Sequence, residues 1–62
     1  MIVKAIVRKA RGSYIEVLRA MPTQLYHNLT KADKKWIRNE DNLKHLLGML
    51  PKPTLELIYR NL

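Results

Sequence analysis

The sequence has 62 residues and no cysteine, and its 12 Lys and Arg against five Asp and Glu give a formal net charge of +7. A chain of this length forms one domain, residues 1–62, which buries only about 60% of its unfolded surface, so we expect marginal stability unless a partner adds buried area. The lack of cysteine excludes disulfides and thiolate zinc sites. An apolar fraction of 47% argues against disorder.

The apolar residues are distributed as in a globular protein rather than a membrane protein. Lys4 interrupts the one early apolar run, residues 2–7, and no stretch approaches the roughly 20 apolar residues of a membrane span. We therefore expect no secretory signal, no membrane association and a cytoplasmic location.

The first nine residues, MIVKAIVRK, predict a β-strand. Four of the six residues from 2 to 7 are branched at Cβ, and branching at Cβ restricts χ1 more in a helix than in a strand. Arg11, Gly12 and Ser13 then break the pattern, since Gly12 can adopt a positive φ.

Residues 14–21 are compatible with two structures. As the second arm of a hairpin they would place Arg8 opposite Glu16. As a helix they would begin at Ser13, with Glu16 three residues on as a capping box. The hairpin is our preferred interpretation. The expected fold class is therefore α+β, mainly α, with an N-terminal strand or hairpin followed by three to four short helices; the alternative is a small all-α bundle.

The remaining chain predicts short helices separated by capping residues and prolines. Pro22 precedes a helix over residues 23–29, and the pair Thr30 and Asp33 opens another over residues 31–38. Asn39 and the acidic residues after it fit the start of a helix over residues 42–50. Its apolar face has helical spacing and consists of Leu43, Leu46, Leu47 and Leu50.

The C-terminal segment predicts one more helix, over residues 55–62, with Thr54 as its cap. Its apolar stripe extends to the last residue, and Leu57 lies off that stripe, which widens the apolar face. We expect this helix to form a protein interface through Leu55, Leu57, Ile58, Tyr59 and Leu62.

The most informative surface is a basic arc on the helix predicted for residues 31–38. At 100° per residue four cations fall within about 100° of one another. They are Lys31, Lys34, Lys35 and Arg38. A row of cations can neutralise several phosphates and release their counterions. Three further cations near the first turn are expected to add a second line of contact. They are Arg8, Lys9 and Arg11.

Trp36 lies beside the basic arc and has two interpretations. An exposed tryptophan next to cations can stack on a nucleic-acid base. The single tryptophan of a small domain is more often a core anchor, and we expect the latter here.

Nothing in the sequence indicates catalysis or a cofactor. Only two glycines are present, so there is no glycine-rich phosphate loop, and the two histidines lack zinc-site spacing. We expect His27 and His45 to be ordinary surface residues, and we expect neither enzymatic activity nor a bound metal.

Two functions remain open. The first is a small basic regulatory protein that binds nucleic acid, DNA more readily than RNA, and that forms a homodimer. The second is an inhibitor or adaptor, of the kind that phages and other mobile elements encode, which binds a host protein through its C-terminal helix. The first predicts sensitivity to charge reversal, and the second predicts sensitivity to leucine and aromatic substitutions.

Overall fold

The computed structural model describes residues 2–62, which form six short α-helices within 26 × 22 × 18 Å. Their bounds are α1 Ile2–Lys9, α2 Tyr14–Ala20, α3 Thr23–Asn28, α4 Lys31–Trp36, α5 Glu40–Gly48 and α6 Lys52–Asn61. These residues contain no β-strand. The expected α+β class is therefore wrong, and the all-α bundle that we named as the alternative agrees with the structure.

Helix α1 replaces the predicted N-terminal strand. Its apolar residues also have helical spacing, and Ile6, Val7 and Ala10 are buried in the core. The helix-propensity cost of a β-branched residue is only a few tenths of a kcal/mol, so burial of this face offsets it. The β-branched residue types predicted a strand, whereas the spacing of the same residues indicated a helix. The prediction was wrong because it gave more weight to residue type than to spacing.

Helix α2 replaces the predicted second arm of the hairpin. Ser13 is its N-cap, and the Ser13 Oγ accepts a hydrogen bond from the backbone N–H of Glu16 at 3.4 Å. Val17, Ala20 and Met21 are buried. Arg8 therefore does not pair with Glu16 across two strands, and the helical interpretation of this segment is correct.

The core forms where α1 packs on α5 and α6 and where α2 packs on α6. Leu43 and Leu47 of α5 are fully buried, and Leu46 and Leu50 pack at the edge of the core, which confirms the leucine face. The buried side chains are Ile6, Val7, Ala10, Val17, Ala20, Met21, Ile37, Leu43, Leu47, Leu55 and Ile58.

Helix caps follow the sequence closely in the second half of the chain. Thr30 and Asp33 form a complete capping box, with both bonds at 3.0 Å. The Asn39 side chain accepts from the backbone N–H of Asp41 at 2.8 Å at the start of α5. Helix α6 begins at Lys52 rather than at residue 55, so Thr54 lies inside its first turn and is not its cap.

Proline and glycine have different roles around α5 and α6. Pro53 is accommodated in the first turn of α6, where a backbone N–H has no intrahelical acceptor. Gly48 closes α5, and a Cβ built on it would meet no atom within 4 Å. Gly48 therefore does not mark a close contact between helices.

Candidate nucleic-acid interface

The predicted basic arc is divided in the structure. Helix α4 ends at Trp36, so Arg38 lies beyond it. Lys31 and Lys35 are exposed on its outer face, whereas Lys34 is half-buried and its Nζ lies 4.1 Å from the centre of the Tyr26 ring. Two lysines of the arc thus remain in solvent, and the third is held against an aromatic side chain.

Arg38 is placed beside the turn between α1 and α2. Its guanidinium lies 5.7 Å from the centre of the Tyr14 ring. Two residues later, the Glu40 carboxylate lies 3.7 Å from the position that a Cβ would take on Gly12. The segment that joins α4 to α5 therefore packs next to the turn that carries Arg11.

Lys9 points away from Arg8, towards α6. Its Nζ donates a hydrogen bond to the backbone carbonyl of Tyr59 at 3.1 Å and lies 4.4 Å from the centre of the Tyr59 ring. This lysine ties the first helix to the last. Of the three cations predicted near the first turn, Lys9 and Arg11 border one surface beside Glu16, whereas Arg8 and Arg11 share a different surface.

That surface is a basic groove between α1 and α5. It encloses about 450 Å³. Its cations come from α1, from the following turn and from α5, and its only carboxylate is that of Glu40. We call this surface the basic groove. The residues that line it are Lys4, Val7, Arg8, Arg11, Gly12, Glu40 and Lys44.

The electrostatics of the basic groove favour an anion. Its four cations and one carboxylate give a balance of +3. Lys44 and Glu40 are one helical turn apart, and the Lys44 Nζ lies 3.9 Å from the Glu40 Oε1. This partly exposed pair is weak, and the other three cations have no carboxylate within 4.0 Å among the described residues.

Arg11 has an unusual backbone conformation. Helix α1 ends with a hydrogen bond from the Gly12 N–H to the Val7 carbonyl at 2.9 Å and another from the Arg11 N–H to the Arg8 carbonyl at 3.1 Å. These two bonds define a Schellman motif, whose left-handed position usually holds glycine. Here Arg11 occupies that position with φ of 56°. A guanidinium is thus held at the rim of the groove at a backbone position that disfavours any side chain.

Sequence reasoning missed Lys4 and Lys44. Lys4 and Arg8 stand at positions i and i+4 on one face of α1, and Arg11 in the following turn extends them into a basic stripe on one surface. The prediction of a strand concealed that stripe. Lys44 joins it through the packing of α1 on α5, for which the sequence carries no local signal.

The predicted protein interface on α6 is only partly available to a partner. Leu55 and Ile58 are buried in the core, and Leu62 packs against it. Leu57 is 43% exposed and Tyr59 is 41% exposed. The accessible part of this interface therefore consists of Leu57 and Tyr59.

Trp36 does not anchor the core. It is 42% exposed, and its ring meets the ring of His45 nearly at a right angle, with the ring centres 5.9 Å apart. Both His27 and His45 are exposed, as expected from the sequence.

Across residues 2–62, every helix is too short or too polar to cross a lipid bilayer. No protein-family model matches the sequence, and no curated protein or solved structure is significantly similar to it.

Proposed function

We propose that this protein is a small, non-enzymatic regulatory protein that binds nucleic acid, DNA in preference to RNA, by contacting phosphates. The observation that supports the proposal is the basic groove, whose lining contains four cations and a single carboxylate. The cations are Lys4, Arg8, Arg11 and Lys44. Cations drawn from separate helices repel one another in the free protein. A polyanion in the groove relieves that repulsion and releases its own counterions.

The dimensions of the groove fit a short run of phosphates. Lys4 and Arg8 are about 6 Å apart along α1 at a rise of 1.5 Å per residue, and Arg11 follows in the turn. One DNA strand carries a phosphate about every 3.4 Å of helix axis, so the distance from Lys4 to Arg8 covers about two intervals, which join three successive phosphates. The same number follows from the balance of +3 in the groove.

Salt dependence tests the proposal quantitatively. Three phosphate contacts on duplex DNA give a log-log slope of about −2.7, so the affinity falls about 40-fold between about 50 and 200 mM salt. Fluorescence anisotropy of a labelled mixed-sequence duplex and of its single strand measures this slope.

Charge reversal identifies the surface that binds. The variant Lys4→Glu with Arg8→Glu reverses two exposed cations of the groove, and Lys52→Glu with Arg60→Glu makes the same change of charge on α6. We expect the groove variant to lose at least about tenfold more affinity than the α6 control, since local phosphate contacts exceed the long-range field at moderate salt. Equal losses in the two variants would rule out the groove as the site.

The exposed face of α4 is tested in the same way. Lys31→Glu with Lys35→Glu reverses the two solvent-facing lysines of the predicted arc. We expect an additional loss of affinity from this variant. Absence of binding by the unmodified protein at about 50 mM salt would refute the proposed function altogether.

A second candidate function is binding to a protein, either another copy of this chain or a host protein targeted by a mobile element. The exposure of Leu57 and Tyr59 on α6 favours it. The variant Leu57→Glu should then abolish self-association in sedimentation equilibrium, or capture of the host protein, while the reversal of Lys4 and Arg8 should not. The opposite pattern would exclude this function.

A further inference from the structure

The outer face of α4 combines cations with an aromatic ring. Lys31, Ala32, Lys35 and Trp36 are exposed, whereas Asp33 and Lys34 are half-buried and Ile37 is fully buried. At 100° per residue Trp36 stands about 100° around the helix axis from Lys35, so the indole ring lies beside the two lysines on the solvent-exposed side of α4. Ala32, one turn before it, is too small to cover an indole ring.

No carboxylate of α4 competes for a ligand on this face. Asp33 is the one acidic residue of the helix, and its Oδ2 accepts the backbone N–H of Thr30 at 3.0 Å in the capping box. The carboxylate is thereby directed at the start of the helix. The outer face presents two ammonium groups and an indole ring.

Trp36 is held in place although it is exposed. The Asn42 side-chain amide donates a hydrogen bond to its backbone carbonyl at 3.0 Å. The His45 ring lies against it at an interplanar angle of 85°, and the next residue, Ile37, is fully buried. The backbone at Trp36 is thus anchored and the His45 ring restricts rotation of the indole ring, which lowers the entropy lost on binding.

We infer that Trp36 stacks on an unpaired base, with Lys31 and Lys35 holding the flanking phosphates, so that the preferred ligand is single-stranded nucleic acid. This inference rests on the proposed function. Every base offers a π-face for stacking, and a duplex hides those faces between neighbouring base pairs. A cationic surface without an aromatic ring would distinguish much less between single strand and duplex.

The fluorescence of Trp36 provides a local test, since it is the only tryptophan. The protein is titrated with a mixed-sequence DNA strand, with an abasic strand of the same length, and with the duplex, all at low salt. Stacking predicts strong quenching by the strand that carries bases. The abasic strand and the duplex should bind through phosphates with little quenching.

Variants connect the fluorescence signal to affinity. Trp36→Ala should weaken binding of the single strand about tenfold or more and leave binding of the abasic strand unchanged. Trp36→Tyr should restore most of the affinity because it restores an aromatic face. Tyr59→Ala, which removes an aromatic side chain of similar exposure on α6, is the matched control and should have little effect.

Comparison of an RNA strand with a DNA strand of the same sequence tests whether the protein recognises the base or the sugar. Stacking predicts that RNA also quenches Trp36, since the sugar does not alter the face of the base. Quenching by RNA but not by DNA would support the stacking inference and overturn the preference for DNA.

The remaining outcomes separate the two proposals. Equal binding of the normal and abasic strands, with no quenching and no effect of Trp36→Ala, would overturn the stacking inference and leave phosphate binding intact. No binding of any strand would overturn both. Circular dichroism of each variant confirms that the helices persist.

Discussion

Replacing Arg11 with glycine should stabilise the protein relative to an alanine variant while both variants lose affinity for nucleic acid. Arg11 has a left-handed backbone, with φ of 56°. For a residue with a Cβ this conformation costs about 1–2 kcal/mol. Glycine adopts it without that cost but loses about 0.4–1 kcal/mol more conformational free energy on folding.

The expected difference follows from these two magnitudes. Arg11→Gly should exceed Arg11→Ala in free energy of unfolding by about 0.8 kcal/mol, the difference between the mid-range values of the two costs. In a domain of this size that difference corresponds to about 3–6 °C in Tm. Because both substitutions remove the same positive charge from the groove, the change in electrostatic repulsion cancels in the comparison.

Binding should respond in the same way to both substitutions. Each removes one cation from the basic groove, so each should reduce the salt slope on duplex DNA by about 0.9. Thermal unfolding followed by circular dichroism gives the stabilities, and anisotropy titrations at several salt concentrations give the slopes. The measurement requires no structural information on the complex.

Two results would refute this reasoning. If the glycine variant were no more stable than the alanine variant, the left-handed backbone at Arg11 would cost no more than the extra conformational free energy that glycine loses on folding, about 0.4–1 kcal/mol. If both variants bound nucleic acid as tightly as the unmodified protein, Arg11 would not contact phosphate. The costly backbone conformation of Arg11 supports the hypothesis that its side chain has a function.

Three further predictions concern stability, each measured by thermal or urea unfolding. Thr30→Ala removes the side-chain half of the capping box and should cost about 1 kcal/mol; an unchanged Tm would mean that the cap is dispensable. Gly48→Ala adds a methyl group where no atom lies within 4 Å and should stabilise α5 by up to about 1 kcal/mol; destabilisation would indicate a steric contact at that position. Ile58→Ala empties a fully buried position and should cost about 2–5 kcal/mol, enough to unfold most of the population of a marginal domain; a cooperative transition close to that of the unmodified protein would contradict the placement of α6 in the core.

The second half of the fold was predictable because its signals are local. The capping box of Thr30 and Asp33, the cap at Asn39 and the leucine face of α5 each depend on residues within one or two turns. Such signals do not depend on where the rest of the chain lies. The signal at Ser13 is also local, but the sequence analysis preferred a hairpin over the helix that Ser13 caps.

The first half and the site were harder because they depend on tertiary contacts. Residues 2–9 satisfy both a β-branched composition and a helical periodicity, and packing against α5 and α6 selects the helix. The groove forms only when residues 2–9 are helical and when α5 packs so that Lys44 lies beside them. The exposure of Trp36 likewise follows from the early end of α4, since the buried side chain at that point is Ile37.

The pairing of α1 with α6 also determines when the chain can fold. The bond from Lys9 to Tyr59 joins residues 50 positions apart, and at about 5–20 residues per second the ribosome needs roughly 3–10 s to synthesise that interval. Residues 2–9 lack their main partner throughout that delay, and an isolated helix of eight residues is marginal in water. Folding of this domain is therefore completed only after residues 52–61 have left the exit tunnel, and the apolar side chains of α1 are not fully buried until then.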